Sequence, residues 1–337
     1  MESALPVWFE IGSMVALLAI LIIDLLLIIK RPHVPSMREA ALWVGFYVGL
    51  ALVFAGCMFV LGDAQHGSEF LAGWLTEYSL SIDNLFVFVM ILGAFKVPHE
   101  YVQRALMIGI ILALIFRGIF ILAGAALIEQ FSWIFYIFGA WLIWTAWKQV
   151  KHDEDDDHSE GLAVRTIKRV LPFTDDFHGA KLSVVADGKR YFTPFLLVLF
   201  ALGSTDILFA LDSIPAIFGI TQSPFIVFTA NVFALMGLRQ LYFLLGGLLE
   251  RLEYLHYGIA AILAYIGVKL VLHAASHNEL PFINNGEHIS WIPTPSTWFS
   301  LGVIVVCMAV ATVASLIKMK KTENKEGHKP TFGAGDL

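Results

Sequence analysis

The sequence predicts an all-α polytopic membrane protein with about nine transmembrane helices, and three observations carry that prediction. Of 337 residues, 58% are hydrophobic and only 15% charged, with a mean hydropathy of +0.75, a composition that leaves no room for a large soluble domain. Mainly apolar stretches of the length needed to cross about 30 Å of hydrocarbon, roughly 17–25 residues, recur along the whole chain. Lysine and arginine fall almost entirely on alternate connections between these stretches, the topology signal of a multi-pass protein. The formal net charge of −6 says little about partners, because the two signs are sorted by membrane side, and nothing in it calls for nucleic acid. Cys57 and Cys307 lie far apart in apolar segments, so neither a disulfide framework nor a thiolate metal site is expected.

Taken in order, the expected spans are 7–29, 40–61, 71–95, 104–128, 131–147, 194–219, 224–246, 254–273 and 298–317. The first is expected to stay in the membrane, since Met1-Glu2 lacks a basic start and the apolar run is long and ends on Lys30-Arg31. Basic residues cluster at Lys30, Arg31 and Arg38, at Lys96 and Arg104, from Lys148 to Arg190, at Arg251, and from Lys318 to Lys329. The opposite connections, 62–70, 129–130, 220–223 and 274–297, hold no lysine or arginine, which places the N-terminus outside and the C-terminus in the cytoplasm. Lys269 alone is out of place. Residues 149–193 read as a cytoplasmic loop carrying "KHDEDDDHSE", the basic "VRTIKRVL" and a hairpin "KLSVVADGKRYF" turning at Asp187-Gly188. The transmembrane domain covers 1–317, and the polar tail 318–337 reads as disordered.

The chain also repeats itself. "SIDNLF" at 81–86 echoes "STDILF" at 204–209; Arg117 follows Asp83 by 34 residues and Arg239 follows Asp206 by 33. Gly124 and Gly246 each fall seven residues past the arginine, and Lys148 and Lys269 end the two echoes. Each unit, 71–148 and 194–273, holds three helices, so the second copy is expected upside down relative to the first. Inverted repeats of this kind mark secondary transporters, whose sites lie near the midplane where the halves meet. The inversion also accounts for Lys269 as the counterpart of cytoplasmic Lys148.

Intramembrane charges cost roughly 2.5–3.5 kcal/mol each on insertion scales and therefore call for a partner, an aqueous cavity or a function. Inversion puts Asp83 and Asp206 near the middle and Glu77 and Asp212 nearer the outer face, two rungs of carboxylates if the helices touch. Six residues turn a helix by about 120°, so both members of a pair line one cavity only if it is wide or the helix is interrupted. Gly203 and Pro215 make the sixth span the expected place for that interruption. Asn84, Ser81, Thr205 and Ser213 add neutral oxygens, and an oxygen-only set suits a hard divalent cation, Mg²⁺, Ca²⁺ or Mn²⁺, better than zinc or copper.

"EYSLSIDNLFVF" together with "STDILFALDSIPAIFGIT" resembles the paired signature of the TerC family of bacterial integral membrane proteins. "LIIDLLLI" in the first span, "RPHVPS" after it and "FIVFTANVFALMGLRQLYFLLGGLLERL" in the seventh extend the resemblance over nearly the whole chain. The resemblance implies a multi-pass protein of the bacterial plasma membrane associated with manganese export, metal loading of exported metalloproteins and tellurium resistance. Its acidic transport residues map to Glu77, Asp83, Asp206 and Asp212. The chain departs at Gly203, where many members carry Glu three residues before the aspartate matching Asp206, which bears on metal choice more than on fold.

Bland readings stand beside these. Arg117 and Arg239 read as counter-charges that hold carboxylates when metal is absent or as interhelical ties, with Lys269 a further counter-charge. Asp24 reads as a snorkelling acid or, by resemblance, a transport residue. His152 and His158 bracket an acidic run of a kind that is usually solvated loop; His273, His277 and His288, with Glu279 and Glu287, show no ligand spacing. Trp141, Trp144 and Trp147 read as interfacial anchors. No nucleotide-binding loop or other enzyme motif is present, so transport would be gradient-driven: Mn²⁺ export by proton antiport, with no nucleotide cofactor. Two alternatives are a non-transporting membrane partner for metal loading or tellurite-resistance complexes, and a LysE-like exporter of small organic ions. The latter needs a cavity of hundreds of Å³.

Overall fold

The structure is a computed structural model that describes residues 5–30, 36–131, 133–151, 167, 171–186, 189–245, 254–276, 278, 280, 289 and 295–326; the side chain of Asp83 lies outside the described set. It is mostly helical: α1 Val7–Lys30, α2 Met37–Leu61, α3 Ala64–Ala94, α4 His99–Gln130, α5 Ile134–Val150, α6 Pro194–Phe218, α7 Pro224–Leu235, α8 Leu238–Leu245, α9 Leu255–Ser276 and α10 Thr297–Glu326. Eight segments among the described residues, α7 and α8 counting as one, have the length and hydropathy to cross a membrane. The remaining expected span, the fifth, is α5 and has 17 residues, at the lower limit of about 17 for crossing.

Local chemistry sets the helix starts. Ser36 and Asp63 cap α2 and α3 by accepting from the amides of Glu39 and His66, at 3.3 and 2.8 Å. Pro194 and Pro224 open α6 and α7, where the missing N–H costs nothing. The Asp63 cap starts α3 seven residues before the expected span, giving a helix of 31 residues. At the other end of the chain, α10 runs on to Glu326, into the stretch expected to be disordered. "KMKKTENKE" is rich in good helix formers and extends a helix already nucleated, which removes the main cost of helix formation. Residues 327–337 lie outside the described set.

Strands β1 Ser183–Ala186 and β2 Lys189–Phe192 pair antiparallel, with Ala186 opposite Lys189. That register leaves two residues for the turn, as the Asp187-Gly188 reading requires; the turn itself, like His152 and His158, is outside the described residues.

α3 lies at the centre, packed against α2, α6, α7 and α10, and α4 packs along α6. Apolar clusters join α1, α2, α3 and α7 on one side and α3, α4 and α6 on another. Leu42, Val53, Val60, Ile119, Leu122 and Val310, all more than half exposed, face outward where lipid would lie. α5 and α9 meet backbone to backbone: a Cβ on Gly139 would lie 2.7 Å from the Gly267 carbonyl, and one on Gly267 2.8 Å from that of Gly139. Small residues at such a crossing are how membrane helices approach closely.

The interruption falls in a different span from the one expected. α6 is continuous from Pro194 to Phe218 and contains Pro215 in its last turn, where the Pro215 carbonyl still accepts from Gly219 at 3.0 Å. The seventh span is the broken one: α7 stops at Leu235, Met236 is extended (φ −64°, ψ 127°), and Gly237 has φ +84°. Left-handed backbone costs a residue with a Cβ about 1–2 kcal/mol, and a Cβ here would also sit 3.0 Å from Tyr47 Cδ2. Gly237→Ala is therefore expected to lower stability by about that amount in thermal unfolding of the purified chain; equal stability would mean that the break does not need glycine.

Candidate intramembrane charge site

Spacing on α3 builds one wall of the site. Glu77, Ser81 and Asn84 are four and three residues apart, hence on one helix face, and all three are buried. They meet Arg117 from α4, Asp206 from α6 and Asn231 from α7, all at most 2% exposed. Arg117 donates through Nη1 to both Glu77 oxygens, at 3.0 and 2.9 Å, and through Nη2 to Asp206 Oδ1 at 3.4 Å. Asn231 Nδ2 donates to Glu77 Oε1 at 2.7 Å. Oriented to satisfy both ends of its amide, Asn84 donates to the Leu80 carbonyl at 3.0 Å and accepts from Arg117 Nη2 at 2.9 Å.

Two features of this cluster go beyond pairwise ion pairing. Among the described side chains two carboxylates face one guanidinium, so with both acids ionised these three carry one negative charge in excess, an arrangement that calls for a further cation or a proton. Polar atoms are also left over: Asp206 Oδ2, Ser213 Oγ, Ser81 Oγ and Arg117 Nε are buried without a hydrogen-bond partner among the described residues. Unpaired buried groups are costly, and an oxygen set that includes Asp206 Oδ2 and the Ser213 hydroxyl is one a cation or its water can complete.

The expected rungs form only in part. Glu77 stands with Asp206, both on Arg117, whereas Asp212 faces α5 and accepts from Trp141 Nε1 at 2.7 Å and Thr145 Oγ1 at 3.0 Å. The physical reason is the continuity of α6: without an interruption between them, residues six apart leave the helix about 120° apart, so Asp206 and Asp212 point to different neighbours. Asp83 lies on α3, six residues past Glu77, with its side chain outside the described set. Thr205 is half-buried beside Asp206. Among the described residues no three of His, Cys, Asp and Glu gather to hold a metal ion.

The other two cations expected as counter-charges work elsewhere. Lys269 donates to Ser300 Oγ of α10 at 3.1 Å, and Glu69 is the acid whose charge reaches it. Arg239 stands 3.9 Å from Asp24 of α1, away from Glu77 and Asp206. His273 packs edge-on to Phe135, with Gln222 3.2 Å from its ring nitrogen; His277, His288, Glu279 and Glu287 lie outside the described residues. Asn231 and Thr145 escaped the sequence reading, although an amide within "FIVFTANVFAL" is a polar interruption that periodicity exposes. Trp141 reads from sequence as an anchor and proves to be a hydrogen-bond donor. Trp144 and Trp147 are exposed and carry Lys148 and Lys151 over their rings.

A bundle of apolar helices enclosing a buried, charge-unbalanced cluster of carboxylates defines a multi-pass integral membrane protein with an ionisable intramembrane site. The chain belongs to the integral membrane protein TerC family, whose sequence profile matches residues 62–323. It is 42% identical over 308 residues to an "Uncharacterized membrane protein" of Mycobacterium tuberculosis, covering 90% of this chain and 77% of that one. It is 38% identical over 320 residues to another of Myxococcus xanthus, covering 95% of each. The "Putative membrane-bound redox modulator Alx" of Escherichia coli is 40% identical over 272 residues, covering 77% of this chain and 84% of that one. No solved structure matches the chain.

Proposed function

We propose that this protein is a transporter of the bacterial plasma membrane that exports a divalent metal ion, Mn²⁺ first among candidates, in exchange for protons. The observation that carries the reading is the Glu77–Arg117–Asp206 cluster, buried, one negative charge in excess, and with Asp206 Oδ2 unpartnered. Arg117 is then an internal cation that occupies the carboxylates in the metal-free state. An incoming divalent ion displaces it and takes Glu77 and Asp206, with the amide oxygens of Asn84 and Asn231 and the hydroxyl of Ser213 as neutral donors. Asp83, six residues past Glu77 on the same helix, is kept as a candidate transport residue by the TerC resemblance alone. Oxygen donors alone favour a hard ion, and the TerC resemblance is what singles out manganese. Protonation of the carboxylates from the outer side releases the metal and lets Arg117 return. The proposed orientation, N-terminus outside and C-terminus in the cytoplasm, and the inverted repeat supply the alternating access. Asp212, with Trp141 and Thr145, is assigned to the exit side of the path; exported metalloproteins are the proposed recipients.

The test is Mn²⁺ flux into liposomes holding a manganese-quenched dye, at several pH gradients. Asp206→Asn is expected to reduce flux to the level of protein-free liposomes while the purified variant remains folded. Undiminished flux in each of Glu77→Gln, Asp83→Asn, Asp206→Asn and Asp212→Asn would remove the mechanism.

A further inference from the structure

The break between α7 and α8 opens a cavity of about 30 Å³ among α1, α2, α4 and α8. Its polar lining is Asp24, Tyr47, Arg239 and Gln240. Tyr47 lines the cavity together with Asp24, and Arg239 Nη2 stands 3.9 Å from Asp24 Oδ1. That distance is too long for a direct hydrogen bond and is the kind of gap a bridging water fills. Arg239 Nε and both ends of the Gln240 amide are buried without a partner among the described residues, and Gln240 is 1% exposed. The chain break adds its own polar groups, since the last carbonyls of α7 and the first amides of α8 have no intrahelical partners. A cavity needs roughly 10–15 Å³ to hold a water, and organic substrates need about 300 Å³ or more. The chamber therefore fits one water and excludes an organic substrate.

We propose that this chamber is a second site, specific for a proton: Asp24 binds and releases it through one resident water held by Arg239 and Gln240. The step is the addition of H⁺ from that water, resupplied from bulk, to a carboxylate oxygen of Asp24; one O–H bond forms and no other bond changes. A neutral Asp24 no longer holds Arg239, which is left to Glu39, the other carboxylate whose charge reaches it. Among the described residues, the titratable groups facing Asp24 are Tyr47 on α2 and Arg239 on α8, with Glu39 on α2 reached through Arg239. α4 contributes only Met107 and Ile110, and α7 only Leu235 and its following Met236. Asn231 of the carboxylate cluster and Arg239 lie on the two sides of the break, eight residues apart in the chain. Proton and metal thus occupy separate stations joined by one discontinuous element. The inference rests on the exchange reading above for its purpose, though not for its test.

The test is an infrared difference titration of the full chain in lipid. The wild type is expected to show a protonated-carboxyl band that grows as pH falls, and Asp24→Asn to lose one component of it. Tyr47→Phe and Arg239→Gln are expected to keep that component with a displaced midpoint. A band identical in wild type and Asp24→Asn overturns the site; if Asp24→Asn does not fold, an unmoved midpoint in folded Arg239→Gln overturns it equally. In liposomes, Asp24→Asn is expected to lose the acceleration of Mn²⁺ flux by an opposing proton gradient. Wild-type flux indifferent to that gradient would overturn the exchange reading alone, because the infrared band reports the chamber without any transport.

Discussion

Replacing Arg117 by glutamine is expected to destabilise the protein by about 3–5 kcal/mol, the loss that follows when one partner of a buried ion pair is removed and the other is stranded. Arg117 is 1% exposed and its two carboxylate partners 0% and 2%, so water cannot replace the lost guanidinium. Asn231 still donates to Glu77 and Asn84 remains nearby, but neither carries charge. The same reasoning gives the compensating change. Adding Glu77→Gln to Arg117→Gln removes one stranded charge and is expected to recover a large part of the loss, a coupling that a double-mutant cycle isolates. Added Mn²⁺ is expected to stabilise Arg117→Gln more than the wild type, because metal no longer competes with an internal cation. The deficit is also expected to shrink in acid, since protonated carboxyls need no counter-charge. Thermal unfolding of the purified variants checks all four statements; an Arg117→Gln protein as stable as the wild type would mean that the acids are already neutral.

Gly267→Val is expected to separate α5 from α9. A Cβ at this position would lie 2.8 Å from the Gly139 carbonyl, 2.9 Å from Ile143 Cγ1 and 3.1 Å from the Ile143 amide nitrogen. Two of these neighbours are backbone, so no rotamer change relieves them and one helix must move. Overpacking of this kind costs about 1–3 kcal/mol, and valine, with two further methyl groups, belongs at the upper end. Gly12→Ala and Gly45→Ala are the controls, because nothing lies within 4 Å of a Cβ at either position. There the gain in helix propensity of alanine over glycine, up to about 1 kcal/mol, is unopposed. Equal stability of Gly267→Val and these controls would show that the close crossing does not exist.

Composition and span length made the helical bundle legible, because the bilayer imposes one length scale on every crossing segment. The hairpin was legible from Asp187-Gly188 alone. The place of the helix break was not: Gly203 and Pro215 are both in α6, yet the chain bends at Gly237. A proline in the last turn of a helix leaves few hydrogen bonds to lose, while a glycine can take a positive φ that no residue pattern announces. The site was half legible. Its acids and Arg117 stood out as charges in apolar runs, but which acids share a partner depends on how α3, α4 and α6 are rotated. One sequence does not fix those angles, so the turn of Asp212 toward Trp141 along the continuous α6 was not legible. Asn231 is uncharged and hid among residues that read as lipid-facing.

The contact between Gly139 and Gly267 bears finally on motion. Backbone pressed on backbone leaves no side-chain layer between α5 and α9 that could shear or repack. Bodies that move relative to each other in this protein must therefore roll about that line, as a door turns on its pin. An opening would have to come from another seam, such as the two-residue joint at Met236 and Gly237, where the helix is already interrupted.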